Sequence, residues 1–180
     1  MKKVLLMGQA NVGKSVLFNR LAGAHVTESN YPGTTVDFAK GRMRLDHEDV
    51  EIIDVPGTFS LEPKDRAEEV AVKMLEDEKD ATVVCIIDAS KMERGLYLAL
   101  EVIEKGYPVV VALNMWDVAK DGNIKVDAKK LEQILGVPVV PTVATRGEGL
   151  KELVLRMKKA APAEVEKIMK NVGVKSGTHN

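Results

Sequence analysis

A glycine-rich segment at residues 8–15 carries the residue types that bind phosphate. It reads Gly-Gln-Ala-Asn-Val-Gly-Lys-Ser, which matches the G-x-x-x-x-G-K-[ST] pattern of a phosphate-binding loop. The glycines allow backbone N–H groups to turn inward around a phosphate, and a helix that starts here adds a favourable dipole. We expect Lys14 to reach the β- and γ-phosphates and the Ser15 hydroxyl to bind Mg²⁺. The residues predicted to bind nucleotide here are Gly8, Asn11, Val12, Gly13, Lys14, Ser15 and Val16.

A second polar segment indicates which base accompanies the phosphates. Residues 114–117 read Asn-Met-Trp-Asp and directly follow the apolar run 109–113. The Asp117 carboxylate can accept from N1–H and the exocyclic amine of guanine, whereas adenine lacks that pair of donors. Asn114 is expected mainly to tie this segment to the phosphate-binding loop and also to touch the edge of the base. Asn and Asp are also common turn residues, so this segment alone is weak evidence for a base-binding site. Its combination with the phosphate-binding loop is what indicates guanine binding. The other residues predicted around the base are Met115, Val143, Ala144 and Thr145, with the Ala144 N–H offered to guanine O6.

Two further segments carry residues suited to sensing a γ-phosphate. Residues 54–57 read Asp-Val-Pro-Gly; Asp54 would hold Mg²⁺ through water, and the Gly57 N–H would meet the γ-phosphate. The same residues would also make an ordinary turn at the end of a strand. Residues 24–35 are rich in turn residues, and we expect a loop that becomes ordered on the γ-phosphate. Its candidate binding residues are Gly33, Thr34 and Thr35, and either threonine hydroxyl could complete the Mg²⁺ shell.

Short apolar runs alternate with helical patterns and must position these segments. Strands are expected at residues 4–7, 50–55, 83–88, 109–113 and 137–140, with residues 36–45 as a more polar strand nearer an edge. Helices are expected at residues 15–22, 66–78, 93–105, 127–135 and 149–159. In the third helix, Leu96, Ala99, Leu100 and Ile103 should face the sheet. The alternation predicts an α/β fold, a mainly parallel sheet of about six strands with helices on both faces.

The expected organisation is one domain over residues 1–160. A short C-terminal extension follows over residues 161–180, with a helix at 163–172 and a frayed tail at 175–180. The chain has 180 residues, of which 45% are hydrophobic and 29% charged. This balance excludes a wholly disordered or fibrous chain.

The charge and cysteine content narrow the classes of partner. The formal net charge is -1, which gives no field to attract nucleic acid, so no nucleic-acid partner is expected. The single cysteine excludes an intrachain disulfide and fits a reducing compartment. Apolar runs fall far short of the roughly 20 residues of a membrane helix, so we expect a soluble intracellular domain. With one Cys and three scattered His, the chain is not expected to bind iron.

Taken together, the motifs resemble those of a translation-factor-related, Era-like small GTPase with a P-loop fold. Three longer segments point to one family within this class. These segments are residues 30–37 (Asn-Tyr-Pro-Gly-Thr-Thr-Val-Asp), 54–61 (Asp-Val-Pro-Gly-Thr-Phe-Ser-Leu) and 88–98 (Asp-Ala-Ser-Lys-Met-Glu-Arg-Gly-Leu-Tyr-Leu). Residues 114–138 support the same family. In these segments the chain is similar to the N-terminal G domain of FeoB, the ferrous-iron transporter of bacteria and archaea. The similarity runs from residue 4 to about residue 155.

The resemblance implies GTP binding and hydrolysis coupled to Fe²⁺ uptake through a membrane transporter region, in the same or another chain. It implies a cytoplasmic location at the inner face of the membrane. It selects Thr35 over Thr34 as the switch threonine, and it implies K⁺ as a cofactor beside GTP/GDP and Mg²⁺. The predicted catalytic residues are Asn11, Lys14, Thr35 and Gly57. The predicted metal ligands are Ser15, Thr35 and Asp54 for Mg²⁺ and Asn11 for K⁺.

The residue after Gly57 bears on the rate of hydrolysis. Ras-type enzymes carry there a glutamine that orients the attacking water, and this chain carries Thr58. We therefore expect slow turnover. Two alternatives stay open: a guanine-nucleotide-binding regulatory switch whose hydrolysis is incidental, and a ribosome- or RNA-associated Era-like GTPase. The second generally carries a basic RNA-binding module, and the sequence shows none.

Overall fold

A seven-stranded sheet lies at the centre of the computed structural model, which describes residues 2–23, 25–45 and 47–171. The strands are β1 (Lys3–Met7), β2 (Val26–Asn30), β3 (Asp37–Leu45), β4 (Glu48–Asp54), β5 (Thr82–Asp88), β6 (Val109–Asn114) and β7 (Val139–Pro141). The helices are α1 (Lys14–Leu21), α2 (Arg66–Asp77), α3 (Met92–Glu104), α4 (Trp116–Asp121), α5 (Ala128–Leu135), α6 (Leu150–Lys158) and α7 (Val165–Asn171). In this part of the chain, no helix has the length and apolar character needed to cross a membrane.

The strand order is β2-β3-β4-β1-β5-β6-β7. Strands β4, β1, β5, β6 and β7 are parallel, and β3 pairs antiparallel with both β2 and β4. The order reverses at β1, where Val4 lies between Ile52 of β4 and Thr82 of β5. In open α/β sheets, ligands bind beyond the carboxyl ends of the strands at such a reversal. The segments that follow β1 and β4 therefore meet at one place.

Helices cover both faces of the sheet because its central strands are apolar at successive positions. Successive side chains of a strand point to opposite faces, so Leu5 and Met7 join one core while Val4 and Leu6 join the other. The first core contains residues of α2, α3 and α5, and the second contains residues of α1 and α6. Each fully buried side chain of this size contributes about 1.5–3 kcal/mol of transfer free energy. A sheet apolar on both sides is therefore stable only between two helical layers.

The predicted α/β fold is confirmed, with two differences in its elements. The sequence pattern predicts a loop over residues 24–35, but Val26–Asn30 form the edge strand β2. Nearly all side chains of β2 are exposed, so main-chain pairing with β3 forms the strand without an apolar pattern. The six-residue helix α4 is also absent from the sequence prediction, because so short a helix shows little hydrophobic periodicity.

The predicted inner face of α3 is wrong at Leu100. This side chain is 36% exposed, whereas Leu98 and Val102 are buried. Ala99 and Ile103 are buried as predicted, and Leu96 is half-buried. The buried residues of α3 are Gly95, Leu98, Ala99, Val102 and Ile103. Their i, i+3, i+4, i+7, i+8 spacing defines one helical stripe. At about 100° per residue, Leu100 lies about 60° outside the edge of this stripe, which Ile103 marks.

The C-terminal helix α7 packs against the body of the fold. Ile168 is buried in the same core as the inner residues of α3 and α5, and Pro162 forms an isolated bridge with Pro108. This helix corresponds to the one predicted over residues 163–172. Residue 172 and the tail predicted at 175–180 lie outside the described residues. The domain division at residue 160 stays a prediction.

Candidate functional site

The glycine-rich segment forms a loop between β1 and α1. Asn11 and Gly13 adopt left-handed backbone conformations, with φ of 64° and 87°. Gly13 caps α1 without a side-chain hydrogen bond, so the first N–H groups of α1 are available to an anion. A Cβ on Gly13 would lie 2.2 Å from Asn114 Nδ2. Glycine is therefore required here both for the conformation and for the close approach of Asn114.

Lys14, Ser15 and Asp54 meet where β1 and β4 end. The Lys14 ammonium lies 2.5 Å from Asp54 Oδ1, and the Ser15 hydroxyl donates to Asp54 Oδ2 at 2.7 Å. The Lys14 and Asp54 side chains are each 11% exposed, so the ion pair is shielded from solvent. A hydroxyl oxygen beside a carboxylate is the hard-oxygen donor set that Mg²⁺ prefers. The residues present therefore fit a Mg²⁺ ion at Ser15 and Asp54.

A cavity of about 290 Å³ opens beside the phosphate-binding loop. It is lined by Gln9, Ala10, Asn11, Gly13, Lys14, Ser15, Val16 and Gly57. Gly57 lies against the loop, because a Cβ placed on it would be 3.2 Å from the nitrogen of Ala10. The next residue, Thr58, donates its backbone N–H to the Gly8 oxygen at 3.1 Å. Five of the seven predicted phosphate-loop residues therefore line one cavity with Gly57, and the exceptions are Gly8 and Val12.

The segment after Gly57 is held by two carboxylates that the sequence analysis does not single out. Glu68 of α2 accepts from the backbone nitrogens of Phe59 and Lys64, at 3.1 and 2.8 Å. Glu101 of α3 accepts from the Leu61 nitrogen at 2.9 Å. Glu68 is only 4% exposed. Asp65 caps α2 and accepts from the Glu68 nitrogen. An N-cap residue followed three residues later by Glu is a known helix-start pattern, and it is the sequence signal that could have drawn attention to Glu68.

The loop between β2 and β3 distinguishes the two predicted threonines. The Thr34 hydroxyl donates to the Tyr31 oxygen at 2.8 Å and accepts from the Val36 nitrogen at 3.2 Å. Thr34 thus stabilises a turn in which Gly33 has a φ of 74°. Thr35 is exposed. Among the described residues no hydrogen bond joins Thr35 to Ser15 or Asp54, whereas Ser15 and Asp54 are hydrogen-bonded to each other.

Tyr31 links this loop to α2. Its hydroxyl donates to Asp77 Oδ2 at 2.8 Å. That hydrogen bond is the main cause of a raised pKa of Tyr31, with burial and the Asp77 charge as smaller causes. The loop that carries Thr34 and Thr35 is therefore anchored to the helix that follows Gly57.

Asn114 joins the base segment to the phosphate-binding loop, as predicted. Its Nδ2 donates to the Val12 oxygen at 2.9 Å. Its Oδ1 accepts from the Thr142 hydroxyl at 3.1 Å and from the Ala144 nitrogen at 2.9 Å. The Ala144 N–H is thus engaged within the protein, and its predicted bond to guanine O6 would compete with this contact. Thr142, 1% exposed, is a supporting residue that the sequence analysis does not identify.

Met115 and Asp117 lie at the start of α4, and the predicted base residues Val143 and Thr145 lie in the loop after β7. Met115 precedes α4 with a φ of 57°, and Asp117 lies in the first turn of that helix. Arg146 Nη2 lies 3.4 Å from Asp117 Oδ2. Arg20 of α1 donates to the main-chain oxygen of Thr145, and Val143 pairs with Glu148. Neither Arg20 nor Arg146 stands out in the sequence, because isolated arginines are ordinary surface residues.

The arrangement combines groups for an anion with groups for a base. An open helix N-terminus, a lysine and a hydroxyl–carboxylate pair lie at the phosphate-binding loop. The segment that carries Asp117 is joined to that loop through Asn114. Among the described residues, no cluster of three or more His, Cys, Asp or Glu side chains is placed to hold a metal ion. The absence of iron binding stays a prediction.

A comparison with known protein families identifies the chain. The family model described as "Ferrous iron transport protein B" matches residues 2–157. The chain belongs to the FeoB family. It is 42% identical over 153 residues to the Fe(2+) transport protein A/Fe(2+) transporter FeoB fusion protein of Porphyromonas gingivalis, covering 84% of this chain and 18% of that protein. It is 38% identical over 161 residues to the Fe(2+) transporter FeoB of Escherichia coli (strain K12), covering 86% and 21%. The chain thus spans about a fifth of these curated relatives.

Solved FeoB structures share the fold. The cytosolic domain of the T. maritima FeoB iron transporter in its GMPPNP form has a TM-score of 0.82 and 38% identity, over 88% of this chain and 63% of that one. The cytosolic domain of L. pneumophila FeoB has a TM-score of 0.83 and 37% identity, over 91% and 70%. The resemblance to the FeoB G domain is therefore confirmed, as is the α/β P-loop fold.

Proposed function

We propose that this chain is the GTP-binding and GTP-hydrolysing domain of a FeoB-type ferrous-iron uptake system. The observation that carries the proposal is the meeting of Lys14 and Ser15 with Asp54 beside the open N-terminus of α1. The GMPPNP form of the T. maritima domain and a GDP-bound S. thermophilus NFeoB variant, 35% identical with a TM-score of 0.83, support guanine nucleotides as ligands. Asp117 would read the guanine edge.

Each part of the site has a defined task in binding. Lys14 and the N–H groups of the loop would hold the phosphates, while Ser15, and Asp54 through water, would hold Mg²⁺. When bound there, Mg²⁺ would neutralise charge on the β- and γ-phosphate oxygens. Thr35 is exposed and, among the described residues, has no hydrogen bond to this pair, so we expect it to join the site when its loop reorganises around a γ-phosphate. That requirement makes Thr35 a sensor of GTP against GDP.

Hydrolysis by this chain is expected to be slow. Thr58 occupies the position of the Ras glutamine, it is fully buried, and its hydroxyl donates to the Ser60 oxygen at 2.8 Å. A buried hydroxyl with a partner inside the protein is poorly suited to orient an attacking water. Gly57 would contribute its N–H to the γ-phosphate. Turnover should then lie near the roughly 10⁻⁴–10⁻³ s⁻¹ of unassisted Ras.

Asn11 supports a role for K⁺ in the reaction. It is exposed, and it lines the cavity that also contains Lys14 and Gly57. Its amide oxygen would coordinate K⁺, which supplies positive charge at the β- and γ-phosphates as an arginine finger does. The competing role for Asn11 is stabilisation of the loop through side-chain hydrogen bonds.

Membership of the family supports a proposal for the biological setting of this domain. The named relatives are Fe(2+) transporters several times longer than this chain. We therefore propose that the domain acts at the cytoplasmic face of the membrane together with a transporter region, and that its nucleotide state controls iron movement there. It would bind neither iron nor nucleic acid itself.

A second candidate function is a nucleotide-binding switch whose hydrolysis is incidental. The buried Thr58 hydroxyl favours this switch function. Thr58 holds the position of the Ras glutamine, but its hydroxyl is engaged with the Ser60 oxygen and is not available to orient water. Measured turnover separates the two candidates. The RNA-associated alternative is not proposed, since the family points to transport.

The decisive experiment compares binding of GTP, GDP and ATP, with turnover measured in matched KCl and NaCl. Lys14→Ala should lose most triphosphate binding, while Lys73→Ala, at an exposed position of α2, serves as the matched control. Preference for guanine nucleotides with slow turnover supports the GTPase. Guanine binding without turnover above the buffer rate supports the switch alone. Equal affinity for ATP and GTP would contradict both.

A further inference from the structure

We propose that Arg146 is a positioning residue for base recognition: its guanidinium orients the Asp117 carboxylate so that both oxygens can serve one guanine edge. This inference rests on the proposed function, and it adds to it a residue outside the motifs that bind phosphate and base. The contact that carries it joins Arg146 Nη2 and Asp117 Oδ2 at 3.4 Å.

Arg146 also contacts a second carboxylate. Its Nε lies 2.8 Å from Glu148 Oε1. The main chain of Glu148 is fixed by a reciprocal pair of hydrogen bonds with Val143, of 3.1 and 3.2 Å. The guanidinium thus contacts two carboxylates, and the main chain of one of these residues, Glu148, is hydrogen-bonded within a turn. A planar guanidinium with several fixed donors is well suited to bridge two carboxylates.

The Asp117 carboxylate needs such a partner because its own geometry is loosely defined. The terminal torsion of an aspartate is broad, and this side chain is 29% exposed. Recognition of guanine by two donors requires both oxygens in the plane of the base. Each carboxylate oxygen accepts more than one hydrogen bond, so Oδ2 can contact Arg146 and the base together. Arg146 would therefore restrict rotation without blocking the site.

The effect should be modest, because the Arg146 side chain is 55% exposed and water and salt screen its charge. Exposed ion pairs correspond to changes of about two- to fivefold in an equilibrium constant. The opposite role, in which Arg146 competes with the base for Asp117, predicts a different pattern. Its removal would strengthen binding of every base that uses Asp117.

The test uses GDP and inosine diphosphate, which lacks the exocyclic amine and can make only one of the two bonds to Asp117. In the unmutated chain, GDP should bind more tightly than inosine diphosphate. Arg146→Ala should lower this preference about two- to fivefold, chiefly by weakening GDP. Arg146→Lys keeps the positive charge but loses the planar set of donors of the guanidinium. It should therefore retain part of the preference for GDP. Arg66→Ala, at an exposed arginine of α2 paired with Glu69, is the matched control and should leave the preference unchanged.

The positioning role would be overturned by an unchanged preference in Arg146→Ala, whether the affinities for both nucleotides stay the same or fall equally. Tighter binding of both nucleotides would overturn it too, because that would indicate competition. A loss that is as large in Arg66→Ala would also overturn it. If the unmutated chain shows no preference for guanine over adenine nucleotides, the proposed function fails before Arg146 is tested. The two failures are therefore distinguishable.

Discussion

The Asn114 amide donates a hydrogen bond to the main-chain oxygen of Val12, 2.9 Å away and 102 residues earlier in the chain. The other end of the same amide accepts from Thr142 and Ala144. Asn114 is 3% exposed. One buried side chain thus fixes the phosphate-binding loop, the base segment and the loop after β7 relative to each other.

Asn114→Ala should therefore reduce both stability and nucleotide binding. It leaves a buried carbonyl, hydroxyl and N–H without their partner, and each such group costs about 1–3 kcal/mol. With partial relaxation, we expect the free energy of unfolding to fall by about 2–4 kcal/mol, as measured by urea denaturation. Asn19→Ala, at an exposed position of α1, is the control. A loss no larger than that of the control would show that Asn114 does not hold the three segments together.

Asp117→Asn should change which base is bound. The amide replaces a carboxylate that accepts from guanine N1–H and the exocyclic amine, so affinity for GTP should fall at least tenfold, about 1.4 kcal/mol or more. Affinity for xanthosine triphosphate should rise relative to GTP, because its C2 carbonyl suits an amide donor. Competition binding with GTP, ATP and xanthosine triphosphate measures the shift. Parallel losses for all three nucleotides would mean that Asp117 supports the fold rather than reads the base.

Thr35→Ala and Thr34→Ala should differ in a diagnostic way. Thr35 is exposed and would engage only with the γ-phosphate, so its loss should spare GDP affinity and weaken binding of a GTP analogue with Mg²⁺. Thr34 already bonds Tyr31 and Val36, so its loss should cost about 1 kcal/mol of stability. Titration with GDP and GMPPNP, together with thermal unfolding, checks both. Equal weakening of GDP and GMPPNP by Thr35→Ala would contradict its switch role.

Asn11→Ala should remove stimulation of hydrolysis by K⁺. If the Asn11 amide coordinates the cation, turnover of the unmutated chain should be higher in KCl than in matched NaCl, and the variant should show equal, slow rates in both salts. Release of phosphate at saturating GTP is the measurement. Stimulation that survives in Asn11→Ala, or that is absent from the unmutated chain, would eliminate this cation site.

Cys85 should be chemically inert in the folded chain. It is 1% exposed in β5, and burial raises the pKa of its thiol to about 12. A neutral buried thiol at pH 8 should not react with a thiol reagent until the chain unfolds, so labelling should follow unfolding in urea. The thiol pKa is higher in the folded chain than in the unfolded chain, where it is near 9.0. The contribution of the buried neutral thiol to the free energy of unfolding is therefore complete below pH 9 and is lost as the pH rises towards 12.

Cys85→Ala provides the control, since it removes the only thiol. It should abolish labelling, and it should also remove this part of the alkaline loss of stability. Rapid labelling of Cys85 under native conditions would contradict the burial of β5.

Local patterns were sufficient for most of the fold. The central strands are apolar at successive positions, which indicates burial on both faces, and helices at 3.6-residue spacing separate them. The exceptions have physical reasons. The side chains of β2 are nearly all exposed, so its main-chain pairing leaves no trace in the sequence. Leu100 is apolar, and its spacing in the sequence predicts an inward position, but it lies just outside the buried stripe of α3.

The sequence by itself determined the phosphate-binding loop and the order of strands and helices, because these depend on neighbouring residues and on short-range periodicity. The motifs also predicted that Ser15 and Asp54 share one site, but only the tertiary structure decided which direct contacts the distant groups make. Lys14 and Ser15 contact Asp54 across 40 and 39 positions, and the sheet order, which places β4 beside β1, makes that contact. The engagement of Thr34 in a turn and of Arg146 with Asp117 likewise follows from loop geometry. Such contacts depend on packing between elements, which residue type and spacing do not encode.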